Sequence, residues 1–167
     1  MILNPGQKIW SYDIEVFPNW FYASFFNGEI WREYDLSTLK ELATVLEYKG
    51  LVLNGFNNFE YDDCMLKFIC KQPNADLFLI YDLSRRLIEA VEHDDLKANF
   101  KARYGIRPWC TSIDMFKILG KKAGLKEYQC HMGWHTVKDS PVDFNRPVEE
   151  MDKEEIKQYC RNDTEST

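Results

Sequence analysis

From Lys8 to Val16 the chain is dense in β-branched and aromatic residues, with two carboxylates, Asp13 and Glu15, set two positions apart. A strand sends residues i and i+2 to the same side. The two acids are therefore expected on one face, with apolar Ile14 and Val16 on the other. Trp20-Phe-Tyr-Ala-Ser-Phe-Phe26 and Glu29-Ile-Trp-Arg-Glu-Tyr34 read as two further strands, with Pro18-Asn19 marking the first turn. Asn27-Gly28 between them has the form of a two-residue hairpin, because both residue types tolerate positive φ. Leu39, Leu42, Ala43 and Leu46 recur at helical spacing, which predicts a helix over 37–48 stopped by Gly50. Leu51-Val-Leu53 is short and apolar and reads as a buried strand.

Beyond it the pattern predicts a loop over 54–60, a helix over 61–70 and a second long helix over 76–92, interrupted near Ser84. Residues 93–108 have little periodicity. Thr111 to Phe116 reads as a strand running into a helix, Gly124 to Met132 as a short helix, and Thr136 to Glu149 as a loop with Pro141 and Pro147. Asp152 opens the last helix, and Glu155 at its third position suggests a capping box with Asp in the Ser/Thr role. Three antiparallel-capable strands, a helix, a strand, helices, a strand and more helices fit an α/β fold around a mixed five-stranded sheet flanked by helices. Asp13 and Glu15 would then lie near the sheet centre. At 167 residues, without internal repeat or low-complexity segment, the chain reads as a single domain with a sizeable core.

The formal net charge of −6 argues against a large non-specific surface for polyanions. It leaves room for a local basic strip, and Lys97, Lys101, Arg103 and Arg107, interleaved with Phe100 and Tyr104, form a candidate. The five cysteines, Cys64, Cys70, Cys110, Cys130 and Cys160, form no C-x-x-C pair, which reads as free thiols in a reducing, cytoplasmic compartment. Met1-Ile-Leu-Asn-Pro-Gly has no signal-peptide character and no apolar run reaches membrane-spanning length.

Two carboxylates side by side raise each other's pKa unless a cation neutralises them. For an all-oxygen pair that cation is a hard divalent metal such as Mg²⁺ or Mn²⁺. Further acids follow. Asp62 and Asp63 open a helix, where anions are favoured by the dipole and where ordinary capping is the plain alternative. Tyr159 and Asp163 are four apart on the last helix and share a face with Ile156. Cys130, His131 and His135 are too loosely spaced for a closed zinc site, with Cys110 as the sole further ligand, and read as a free thiol and surface imidazoles.

Together these elements resemble the DEDD 3′–5′ exonucleases, a family on a ribonuclease H-like fold. Asp13-Ile14-Glu15 matches the family's D-x-E motif. Asn58-Phe-Glu-Tyr-Asp62 matches the second motif, with Asn57 also fitting a longer gap, and Tyr159 with Asp163 matches the third. The Tyr resembles the DEDDy branch, which includes proofreading domains of DNA polymerases. Gly124-Leu-Lys-Glu-Tyr and Ser140-Pro-Val-Asp-Phe-Asn-Arg-Pro147 are similar to stretches of phage and bacterial members. The resemblance spans nearly the whole chain. Two departures stand out: Val16-Phe17-Pro18 replaces a Thr common after the first motif, and Asp62 is doubled by Asp63. Asp62 is preferred because Leu66 follows four residues on.

The resemblance implies hydrolysis of phosphodiester bonds at the 3′ end of a single strand, releasing nucleoside monophosphates, with two Mg²⁺ or Mn²⁺ ions per site roughly 3.5–4 Å apart. Asp13, Glu15 and Asp163 would hold the ion that activates water. Asp13 would bridge to a second ion, which Asp62 holds largely through waters. Tyr159 would orient the water rather than take its proton, a free phenol having a pKa near ~10. Asn58, Phe59 and Lys126 are the candidate substrate contacts, Phe59 by stacking. Resemblance to proofreading domains favours DNA over RNA as partner. A non-catalytic nucleic-acid- or protein-binding domain that kept the fold is the competing reading. The chain ends one turn past Asp163, which suggests a domain cut from a longer protein such as a polymerase, against a short free-standing enzyme.

Overall fold

A computed structural model describes residues 7–48, 50–92, 111–120 and 123–167. Five strands form one mixed sheet: β1 (Lys8–Phe17), β2 (Trp20–Phe26), β3 (Trp31–Asp35), β4 (Leu51–Gly55) and β5 (Thr111–Asp114). Their spatial order is β3-β2-β1-β4-β5. β1, β2 and β3 pair antiparallel, whereas β4 pairs parallel to β1 and β5 parallel to β4. The helices are α1 (Leu39–Leu46), α2 (Asp62–Lys71), α3 (Leu77–Glu92), α4 (Met115–Ile118), α5 (Leu125–His131) and α6 (Lys153–Ser166). The expected α/β architecture is therefore present, with β1 in the middle of the sheet. Among the described residues no helix is long and apolar enough to cross a membrane.

The period of two along β1 separates two cores. Trp10, Tyr12, Ile14 and Val16 face one side, where they pack with Ala23 and Phe25 of β2, with Leu42 and Leu46 of α1, with Met65 and Ile69 of α2, and with Ile80 and Leu87 of α3. Phe17 faces the other side, against Val142, Val148 and Ile156. α6 lies on this second face across β1 and β2. A polar seam fixes it there. Ser24 Oγ hydrogen-bonds Thr164 Oγ1, Thr164 Oγ1 donates to the Cys160 carbonyl at 2.8 Å, and Cys160 Sγ approaches the Asp13 carbonyl at 3.6 Å. The buried side of α6 is thus locked beside the odd-numbered face of β1, where Asp13 and Glu15 stand.

Four local expectations are corrected. The β2–β3 connection spans four residues, because Phe26 pairs with Trp31. Asn27 Oδ1 accepts from the backbone of Glu29 at 3.0 Å and of Ile30 at 2.8 Å, and Gly28 takes φ +91°, so the side chain closes a wider turn. The helix predicted from Ser37 begins as a 3₁₀ turn, Leu36–Thr38, with α1 starting at Leu39. α3 runs unbroken through Ser84, whose hydroxyl is buried and meets Tyr61 Oη at 2.7 Å, so it does not compete with the helix backbone. Asp152 makes no capping bond to α6, since its own backbone is helical (φ −77°, ψ −28°). Its carboxylate turns back to the Glu149 amide at 2.9 Å and to Arg146 at 3.0 Å.

Candidate active site

Three elements bring acids to one cavity of about 280 Å³. β1 supplies Asp13 and Glu15, the start of α2 supplies Asp62, and α6 supplies Tyr159 and Asp163. On β1 the spacing of two does this. On α6 the spacing of four does, and Ile156 one turn earlier is fully buried on the same face. Asp62 reaches the cavity because α2 begins just beyond the end of β4, next to β1 in the sheet. Asp63, one residue on, points the other way into the helix-covered core. Its Oδ1 accepts from Tyr12 Oη at 2.6 Å, Ser112 Oγ at 3.1 Å and Asn58 Nδ2 at 3.3 Å.

The electrostatics are those of acids crowded together without enough cation. Burial, and then the charge of Asp163, pushes the Asp13 carboxyl up to about 7. Glu15 and Asp62 are raised well above the carboxylate range, by burial first and by Asp13 next. Asp163 is buried, and its charge is met directly: Lys126 Nζ donates to both of its oxygens, 2.6 Å to Oδ2, and Gln129 Nε2 donates to Oδ1 at 3.0 Å. Lys126 also lies 4.5 Å from the centre of the Tyr159 ring. Burial and the charges of Asp163, Glu15 and Asp13 push the Tyr159 phenol up, so it stays protonated throughout the neutral range.

Asp13, Glu15 and Cys160 each place one ligand atom within 4.8 Å of the others. Burial, followed by Asp13 and Glu15, holds the Cys160 thiol well above its ordinary pKa, which keeps it protonated and a poor ligand. What remains is oxygen, the donor set that suits Mg²⁺ or Mn²⁺. Asp13 and Glu15 could hold such an ion, with Asp62 and Asp163 facing the same space.

The candidate substrate contacts are placed differently. Asn58 is 1 % exposed and lies outside the cavity. Its amide bridges Ser112 Oγ at 2.9 Å to Asp63, and a Cβ on Gly55 would come 2.7 Å from its own Cβ. Asn58 thus braces the turn that delivers Asp62. Phe59 is half-buried beside that turn and does not line the cavity. Lys126 meets Asp163 rather than open solvent. Asn57 takes the left-handed conformation (φ +57°). The basic strip from Lys97 to Arg107, and Cys110, lie outside the described residues. Cys64, Cys70, Cys130 and Cys160 form no disulfide, and Cys130, His131 and His135 form no metal-ligand group among the described residues.

Sequence reasoning missed three residues. Asp114, at the end of β5, accepts from the Asn57 amide at 2.9 Å and the Phe59 amide at 3.5 Å, so it anchors the loop before α2. Arg85 of α3 lines the same cavity as the carboxylates, and its Nη1 donates to Asn145 Oδ1 at 2.8 Å. Phe144 lines it too, stacked on Phe17 with ring centres 5.3 Å apart and 42 % exposed. The available signal was the helical period of Tyr81, Ser84, Arg85 and Ile88, all of which reach this cavity. No family model, curated protein or solved structure matches the chain.

Proposed function

We propose that the chain is a divalent-metal-dependent 3′–5′ exonuclease of the DEDDy type, with a ribonuclease H-like arrangement, acting on a single-stranded end with DNA preferred over RNA. One observation carries the reading: Asp13, Glu15, Asp62, Tyr159 and Asp163, from three separate elements, line a single cavity. Buried carboxylates that repel one another are costly unless a cation or proton joins them. A structural role alone gives no reason to collect them.

In this reading Asp13, Glu15, Asp62 and Asp163 hold Mg²⁺ or Mn²⁺, which when bound supplies a water activated for attack and neutralises charge on the leaving oxygen. The chain's own groups do the rest. Tyr159 keeps its proton and offers a neutral hydroxyl that orients the attacking water. Lys126 and Gln129 fix the Asp163 carboxylate. Phe144 offers an exposed aromatic face to a terminal base, a mode that tolerates any sequence. Arg85, on the wall of the same cavity, offers a guanidinium to a substrate phosphate.

The test is degradation of 5′-labelled single-stranded DNA and RNA side by side, with Mg²⁺ and with chelator. A ladder shortening from the 3′ end only with metal supports the reading. Full activity in chelator, or equal cutting of a 3′-blocked strand, overturns it. Binding without cleavage at any metal concentration would favour a non-catalytic binding domain.

A further inference from the structure

The sheet carries a second lined cavity, of about 460 Å³, on the face away from the carboxylates. The strand period builds it. Lys8 and Trp10 are two apart on β1, and Arg32 and Tyr34 are two apart on β3, so each pair shares a face. Phe25 of β2 joins them, being the cross-strand partner of Arg32. α1 covers this face only as far as Leu46, and the cavity opens past its end beside Tyr48. Trp10, Phe25 and Tyr34 are buried and form an aromatic floor, whereas Tyr48 is 69 % exposed at the rim.

The charge of the site is one-sided. Lys8 and Arg32 both line it, and no carboxylate among the described residues does, in a chain whose net charge is −6. The Arg32 guanidinium lies 5.2 Å from the centre of the Trp10 ring, and Arg32 forms no ion pair among the described residues. Two cations with no acidic partner among the described residues, above an aromatic floor, suit a ligand with a flat ring and an anionic group. The volume falls within the range of small-molecule sites.

We propose that this cavity is a second binding site, for a mononucleotide, with the phosphate on Lys8 and Arg32 and the base against Trp10 and Tyr48. It is separate from the acidic cavity and stands whether or not that cavity cleaves nucleic acid. The phosphate could belong to a free mononucleotide or to the 5′ end of a strand, and these are told apart below.

The full chain is titrated with deoxyadenosine monophosphate in excess chelator, and tryptophan fluorescence is read. Saturable binding is expected, retained in Asp62→Asn and weakened about tenfold or more in Arg32→Gln and in Lys8→Gln, as for loss of a charged hydrogen bond. Deoxyadenosine and inorganic phosphate should each bind more weakly than the mononucleotide. Both cations are at the surface, so the variants should fold, and circular dichroism checks it. A 5′-phosphorylated oligonucleotide that binds as tightly as the mononucleotide identifies a strand end as the ligand, and weaker binding identifies the free mononucleotide. Either upholds the site. Absence of saturable binding, binding indifferent to Arg32→Gln and Lys8→Gln, or binding lost in Asp62→Asn overturns it.

Discussion

Asp62 and Asp63 are neighbours in sequence and stand in different environments. Asp62 faces the cavity shared with Asp13 and Glu15, while the Asp63 carboxylate is buried and accepts three hydrogen bonds, from Tyr12, Ser112 and Asn58. Asp62→Asn should therefore lower the cleavage rate by about two or more powers of ten and leave the fold intact. Asp63→Ala should keep most of its rate per folded molecule. It should cost stability, about 1–3 kcal/mol, because buried donors lose their acceptor. Single-turnover cleavage alongside chemical denaturation separates the two effects. Loss of rate in Asp63→Ala at full stability would reverse the assignment.

The crowding of acids predicts a dependence of stability on pH. Asp13 is raised to about 7, and Glu15 and Asp62 are raised well above their ordinary range, so in the metal-free protein the folded state binds more protons than the unfolded state between about pH 4 and 7. Stability then falls as pH rises through that window. A bound divalent cation removes the repulsion, so its stabilising effect should be largest at pH 8 and small at pH 5. Melting temperatures across that range, with chelator and with Mg²⁺, check this. Asp13→Asn should flatten the chelator curve, and an unchanged slope would count against the assigned cause.

Tyr159 gives a prediction about rate without affinity. Its phenol is pushed up by burial and by Asp163, so it cannot serve as a base near neutral pH. Tyr159→Phe keeps the ring beside Lys126 and removes one hydroxyl. The rate should drop by about one to a few powers of ten, with Mn²⁺ affinity near that of the unaltered protein. Asp163→Ala should lose both, since it removes a proposed ligand and strands Lys126. Wild-type cleavage by Tyr159→Phe would reduce Tyr159 to a packing residue.

Much of this was legible in the chain because it rests on local periods. Spacing of two put Asp13 and Glu15 on one face, and spacing of four put Tyr159 above Asp163. Strand and helix order followed from the same patterns, apart from element ends. What escaped depends on contacts between distant residues. Asn58 looked like a substrate contact, yet it is buried against Ser112, 54 positions away. Asp152 had a capping sequence, and an Arg146 on the preceding loop diverted its side chain. Arg85 carried no sequence signal of its own on the long helix α3. The packing of α3 beside β1, with Asn145 of the 140–147 loop on the guanidinium, brings it to the wall of the acidic cavity.

That wall yields the last prediction. Arg85 is the one cation lining the acidic cavity among the described residues, together with Asp13, Glu15, Asp62 and Asp163, and Asn145 holds its guanidinium at 2.8 Å. A group so placed can grip a phosphate while the acids act beside it, and it adds little to holding a metal, since like charges repel. Arg85→Gln should therefore weaken single-strand binding about 10- to 100-fold, the range for a lost charged hydrogen bond, and leave Mn²⁺ affinity equal or slightly higher. Arg85→Lys should recover only part, because an ammonium cannot reproduce the planar fork. Asn145→Ala should give a smaller loss, since it frees the guanidinium without removing it. Phe144→Ala removes the exposed ring and should weaken binding about equally for all terminal bases, as stacking does. Two measurements decide the matter: oligonucleotide affinity in Ca²⁺, and Mn²⁺ affinity without oligonucleotide. Equal strand affinity in Arg85→Gln and the unaltered protein would place the phosphate elsewhere and leave Arg85 as a brace for the 140–147 loop.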